Sequence, residues 1–441
     1  MFRTFLSALA TSLLIFGISH AQTREQKVRD DRKKVEAEGF WIYNDLAKGY
    51  AEAKKSGKPM LVVLRCIPCV ECVKLDDDLV NSDKRVRPLM EKFVCVRIVS
   101  TNGLDLSIFQ YDYDQSFAAF AMNADGTIYG RFGTRSHRTT WADDVSIDGM
   151  AKALQGALDL HSDYPKNKDA LALKKGPPPE AAAPELLPLL KSKYTAALNY
   201  EGNVVASCIH CHQVGEALRQ FHRKKSEPLP EQVLFPYPHP KAIGLILDPK
   251  ERATVLRAEN DSPGGKAGFK TGDAIKYLGG QPLLSIADVQ WVLHRASGDG
   301  TRIKAEVQRG DQIVNLTLDL PKGWKAADDL SWRATTWDLR RMILGGLVIE
   351  SLDAAARKDA GISDGMGLRV KHVGQYGTHA AAKNAGFQKD DIVVAFDGKS
   401  DLQRETDILA YGMGRHKPGD RVPVTVLRKG KKVNLMMTIQ E

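Results

Sequence analysis

About two hundred C-terminal residues repeat themselves at a nearly constant offset, and this constrains the fold more than any other feature of the chain. Ala267-Gly268-Phe269 returns as Ala385-Gly386-Phe387, Asp273 as Asp391 and Gly280 as Gly398, each 118 positions later. Gly300 returns as Gly419 and Arg309 as Arg428, 119 positions later. So regular a spacing requires two copies of one supersecondary unit. In the first copy the apolar pattern predicts strands at 242–247, 253–258, 274–278, 303–308 and 314–320, with a helix over 286–294.

The run Ser262-Pro263-Gly264-Gly265-Lys266-Ala267-Gly268-Phe269-Lys270-Thr271-Gly272-Asp273, with the pair Arg309-Gly310, resembles the PDZ domains of exported HtrA-type proteases, and the likeness covers nearly all of 240–441. It implies a loop whose backbone N–H groups hold the carboxylate of a peptide that adds as a strand to the sheet edge. That loop would be Ile243-Gly244-Leu245 in the first copy and Gly345-Gly346-Leu347 in the second. The second copy carries about 16 extra residues, rich in Ala and Asp, between Ser351 and Met366, which are expected to cover its groove. Gly-Asn-Ser-Gly-Gly does not occur, and the Gly-x-Ser-x-Gly at 361–365 lies inside the Ala- and Asp-rich insertion, away from any expected strand-to-helix turn, so hydrolysis is not expected.

Upstream, the pattern of Leu46, Tyr50 and Ala53 predicts a helix over 44–55, ended by Ser56-Gly57-Lys58-Pro59. Buried strands are expected at 60–64 and 93–99, a helical stretch from 73 toward 90, and a hairpin of 117–122 with 127–132 around Asp125-Gly126. The first strand empties into Cys66-Ile67-Pro68-Cys69-Val70-Glu71-Cys72. A strand running into Cys-x-x-Cys at a helix start, behind the lead-in AKKSGKPMLVVL, resembles the exported branch of the thioredoxin superfamily. The resemblance implies a nucleophilic thiolate at the helix N-terminus and a resolving thiol one turn later. Two registers fit: Cys69 attacking with Cys72 resolving and Cys66 as an exchanging third thiol, or Cys66 paired with Cys69. Cys95, inside a strand, reads as core. Where the family has a cis-proline this chain has Gln115-Ser116-Phe117, which predicts a trans bond and leaves room for a fold that binds partners or metal without turnover.

Residues 166–189 contain Gly176-Pro177-Pro178-Pro179, Pro184 and Pro188 and read as a polyproline-biased spacer, followed by a helix over 186–198. Then comes Cys208-Ile209-His210-Cys211-His212, the Cys-x-x-Cys-His spacing that anchors a c-type haem (heme c) through Cys208 and Cys211, with His212 as proximal iron ligand. A disulfide or a zinc half-site is the plainer reading, although no second Cys-x-x-Cys lies nearby to complete four ligands. No methionine occurs between Met150 and Met342, which leaves His222 or His239 as the sixth ligand, or an open iron.

Arg3, an apolar run from Phe5 to Ile18 and Ser19-His20-Ala21 have the layout of a cleaved secretory signal, so an exported, periplasmic or secreted protein is expected, with no span remaining after cleavage. Lys and Arg total 63 against 54 Asp and Glu, and this surplus is spread without a basic block, so nucleic acid is not an expected partner. The expected architecture is multi-domain, α/β and β. A signal peptide (1–21) and a charged segment (22–39) precede a thioredoxin-like domain (40–165) and the spacer (166–189). A small, mainly helical haem-binding segment (190–239) and two PDZ domains (240–322 and 323–441) follow. Two functions are expected to compete: a thiol–disulfide oxidoreductase whose PDZ domains hold exported proteins by their C-termini, and a non-catalytic scaffold or metal-binding adaptor.

Overall fold

The computed structural model describes residues 23–67, 83–134, 145–225 and 229–441. The expected signal peptide, Cys69 and Cys72 lie outside these residues.

The charged segment is a helix, α1 (Arg24–Glu38), which the sequence reading missed because only Val28 and Val35 make an apolar stripe. A capping box starts it: Thr23 accepts from the Gln26 N–H, and the Gln26 side chain accepts from the Thr23 N–H. Next come β1 (Ile42–Tyr43), α2 (Leu46–Ser56), β2 (Met60–Leu64), α3 (Arg87–Met90), β3 (Val94–Ile98), β4 (Phe117–Met122), β5 (Ile128–Thr134) and α4 (Ile147–Ser162). The sheet order is β1-β3-β2-β4-β5, with β3 parallel to β1 and β2 and with β4 antiparallel to β2 and β5. All five residues of β2 are buried because the sheet has a core on each face. Leu61 and Val63 pack on the α4 side, while Met60, Val62 and Leu64 pack against Phe109 and Phe120. A strand covered on both faces reads as an unbroken apolar run, as this one does.

The polyproline spacer is packed rather than loose, which corrects the reading of it as a linker. It contains α5 (Lys168–Ala172), and Lys174 is wholly buried in an ion pair with Asp288, 3.0 Å away. Gln110 donates to the Pro177 carbonyl, and the Leu106 N–H donates to that of Ala182. Proline carbonyls accept as well as any others, so a segment poor in N–H donors still binds a surface that supplies them. No helix forms over 186–198. A 3-10 turn at Pro184–Leu186 gives way to further turns, and the first helix beyond it is α6 (Cys211–Arg223).

The repeat appears as two related units, the first with a two-stranded and a four-stranded sheet and the second with one five-stranded sheet. The first copy has β6 (Leu245–Leu247) with β7 (Val255–Ala258), then β8 (Ala274–Leu278), β9 (Gln281–Pro282), α7 (Ile286–Arg295), β10 (Thr301–Arg309) and β11 (Gln312–Leu320) in the order β11-β10-β8-β9. The second has α8 (Thr336–Leu344), β12 (Leu347–Ser351), α9 (Ala354–Asp359), β13 (Leu368–Val373), β14 (Ile392–Phe396), α10 (Glu405–Arg415), β15 (Arg421–Arg428) and β16 (Lys431–Thr438), the five strands paired in sequence order. One constellation explains the repeated residues. Arg309 donates to Asp273 and to the Gly268 carbonyl, and Arg428 does the same to Asp391 and Gly386. Gly268 and Gly386 have φ of +88° and +91°, which favours glycine.

The first copy is fixed to the preceding unit through α7. The Asp288 carboxylate accepts from the N–H groups of Arg131 on β5 and of Leu284, and it faces Lys174 from the spacer. Gly130 on β5 allows this approach, since a Cβ there would lie 2.6 Å from Leu284. The second copy is tied by Arg333, buried with Asp112 at 2.7 Å and Asp114 at 3.3 Å. No helix among the described residues is long and apolar enough to cross a membrane.

Candidate functional site: the thiols at the end of β2

At the C-terminal end of β2 the backbone leaves the sheet at Arg65, whose N–H still donates to the Ile98 carbonyl, and presents Cys66. The Cys66 Sγ lies 2.9 Å from Nδ1 of His210, a residue 144 positions away in the centre of the CIHCH run. That run is held against the thioredoxin-like unit by the turn after β3. Thr101 donates to the Ile209 carbonyl through both its N–H and its hydroxyl, at 3.0 and 2.9 Å. The Asn102 carboxamide accepts from the Ile209 N–H at 2.8 Å and donates to Ser207. On the other side α1 contributes Glu25, whose carboxylate accepts from the Val204 and Val205 N–H groups. The His210 N–H in turn donates to the side chain of Gln213, in the first turn of α6.

Burial, with the His212 ring stacked 5.7 Å away, pushes the His210 imidazole down to about 4. It is therefore neutral at pH 7 and a poor base, and in its Nδ1–H tautomer it donates a hydrogen bond that favours the thiolate form of Cys66. Cys211, at the first position of α6, accepts a hydrogen bond from the Tyr111 hydroxyl at 3.1 Å. Cys66, His210 and Cys211 line one cavity with Leu64 and Thr101. Cys208 behaves differently. It is buried, its Sγ donates to the Val204 carbonyl at 3.1 Å, and burial raises its thiol to about 11. Cys95 is an inert core thiol as expected, raised to about 12 by burial in β3.

The residues present do not fit the expected haem. The Cys208 thiol faces Val204 in the core formed with Val28 and Val99, whereas that of Cys211 faces Tyr111, so the two do not share one open face for a porphyrin. His222 lies on the same rigid helix as His212, ten residues on, or about 15 Å along its axis, too far to bind the opposite face of one iron. It is instead 2.9 Å from Glu180. His239 is buried in the first copy of the repeat, where its Nδ1 accepts from the Lys241 N–H and its own N–H donates to Asp328. No group of three or more His, Cys, Asp or Glu among the described residues is gathered as a metal ion would need.

The expected peptide loops are present, with their glycine N–H groups already engaged. The Gly244 N–H donates to the Lys241 carbonyl, and those of Gly345 and Gly346 both donate to the Arg340 carbonyl as the C-cap of α8. Ile243 is buried, Leu245 pairs with Ala258 on β7, and Leu347 pairs with Val373 on β13. The 351–366 insertion forms α9, which buries no residue. What meets the groove of the second copy is α8. Arg340 forms a buried pair with Glu405 at the first position of α10, and the same carboxylate accepts from the Ile349 N–H of edge strand β12 at 3.2 Å. Ile343 of α8 packs so closely on Gly412 of α10 that a Cβ there would lie 2.3 Å from it.

His210, Tyr111, Arg340 and Glu405 were not singled out from the sequence. The only available signal for His210 was its place inside the motif, where the haem reading gives the chemistry to its neighbour His212.

A family model described as thioredoxin-like matches residues 41–124, and a PDZ domain model matches residues 237–320 and 365–439. Among curated proteins the chain is 26% identical over 188 residues to a probable periplasmic serine endoprotease DegP-like of Marinomonas sp. (strain MWYL1), covering 42% of this chain and 36% of that protein. It is 28% identical over 151 residues to the periplasmic pH-dependent serine endoprotease DegQ of Escherichia coli (strain K12), covering 34% and 29%. The chain thus spans about a third of the length of these relatives. Among solved structures, HtrA-type protease AlgW with decapeptide aligns at a TM-score of 0.20 and 16% identity, over 32% of this chain and 49% of that one. The chain carries a thioredoxin-like domain followed by two PDZ domains.

Proposed function

We propose that this protein is an exported, periplasmic thiol–disulfide redox protein that acts on envelope proteins, with its PDZ domains receiving client or partner C-termini. The observation that carries this reading is the 2.9 Å contact of the Cys66 Sγ with the buried, neutral His210 imidazole at the end of β2, the end at which a thioredoxin-like fold presents its reactive thiols. A thiol reacts as its thiolate, and a hydrogen bond from the His210 Nδ1–H to the Cys66 sulfur favours that form. The export layout of the N-terminus and the periplasmic relatives support the compartment.

Reduction of insulin disulfides tests it. The wild type is expected to be active, and the protein with Cys66, Cys69 and Cys72 all changed to Ser is expected to fall to background. Equal rates overturn the reading.

Two observations favour a second reading, a non-catalytic adaptor. The Ser116–Phe117 bond before β4 is trans, so the cis turn of the redox-active family is missing. The loop amides of both PDZ domains are engaged within the chain, as in a module that serves to hold the molecule together.

A further inference from the structure

Cys66 and Cys211 belong to segments that the sequence assigns to different units, yet they border the same cavity. Cys66 ends β2, and its sulfur touches the imidazole of His210, the residue next to Cys211 in the chain. Cys211 cannot drift from this place without breaking the bonds from Thr101 and Asn102 to Ile209. The Tyr111 hydroxyl points at the Cys211 sulfur from the thioredoxin-like side, where it stabilises negative charge on an attacking sulfur. Cys208, the other thiol of the run, is turned away and buried.

We infer that Cys66 and Cys211 form a catalytic dithiol across the two units, with Cys211 resolving the mixed disulfide that Cys66 makes with a protein disulfide. The inference rests on the redox reading above and deepens it. In the first step Cys66 gives its proton to water, and the thiolate, held by the His210 Nδ1–H, attacks one sulfur of the client disulfide. The client S–S bond breaks, a Cys66–client bond forms, and the departing client thiolate takes up a proton from water. In the second step Cys211 gives its proton to water and attacks the Cys66 sulfur. The Cys66–Cys211 bond forms, and the second client sulfur leaves and takes up a proton. The client disulfide gains two electrons and the dithiol loses two. On this account the CIHCH run is the second half of the thiol site rather than a haem anchor.

The test is mass spectrometry of the full chain after oxidation with insulin and, separately, with diamide, followed by alkylation and digestion. A peptide pair linked through Cys66 and Cys211 is expected. Cys211→Ser and Cys211→Ala should each reduce insulin at least tenfold more slowly and accumulate a Cys66–insulin adduct. The inference is overturned if oxidation yields only a Cys208–Cys211 or Cys66–Cys69 link, if haem mass is found on the peptide holding 208 and 211, or if both Cys211 variants keep the wild-type rate. Those last results with insulin still reduced leave the redox reading standing. A Cys66–Cys211 link under diamide with no insulin reduction by the wild type instead removes the redox reading and leaves the pairing.

Discussion

At the residue scale, acidic groups enclosed by the packing of the units are sensitive to pH. Glu216 on α6 is pushed up to about 7, chiefly by burial and then by Asp338. The folded protein then holds a proton on Glu216 that the unfolded chain has released, so stability falls as pH rises from about 4.5 to 7. Glu216→Gln removes this dependence. Urea unfolding at pH 5 and pH 8 should show the variant gaining on the wild type by about 1–3 kcal/mol at pH 8 and by little at pH 5. An equal difference at both pH values would contradict the assignment. Asp112 is raised to about 6 by burial against the opposing pull of Arg333, and it loses stability with rising pH in the same sense. None of this was legible from the sequence, because Glu216 sits at an ordinary polar position of a short helix and what buries it comes from elsewhere in the chain.

At the element scale the sequence was most informative where pattern and spacing are local. The helix expected at 286–294 is α7 at 286–295, the strand at 274–278 is β8 to the residue, and the Asp125-Gly126 hairpin is present. Each was set by its own periodicity and by turn residues that need positive φ, such as Gly126 at +85°. Elements whose partners are remote were misread. The helix expected at 186–198 gave way to turns, with Leu187 held extended at ψ 136° before Pro188, the conformation that a following proline favours. α8, which lies before the second PDZ loop, was not foreseen as the element that meets the groove. Its closure gives a test: Arg340→Met with Glu405→Ala should free the Ile349 N–H on β12 without leaving a buried charge alone. A labelled peptide with an apolar C-terminus should bind this double variant about tenfold more tightly than wild type in fluorescence anisotropy, about 1.4 kcal/mol. Unchanged binding would show that Glu405 does not restrain the groove.

At the scale of the whole molecule, the units are joined by buried charge rather than by flexible spacers. Lys174 and Asp288 have no exposed side-chain surface, and burial lowers the lysine while Asp288 raises it. Removing one partner leaves the other charge unpaired, so Asp288→Asn should lower stability by about 3–5 kcal/mol. Adding Lys174→Met should recover most of that loss, a coupling that a double-mutant cycle in urea measures. Additive losses would mean that the pair does not act as a unit. The same long-range joining made the candidate site hard to read. The domain types were legible from repeats and motifs, but the meeting of Cys66 with His210 spans 144 residues and leaves no local pattern.

That meeting is the central claim, and the rate at which Cys66 is alkylated at pH 7 tests it most directly, followed by mass spectrometry with iodoacetamide in the native protein and in His210→Ala. The account predicts that native Cys66 reacts at least tenfold faster than the same residue in the urea-unfolded chain, and that His210→Ala loses this advantage. Equal rates for native protein, variant and unfolded chain would contradict it.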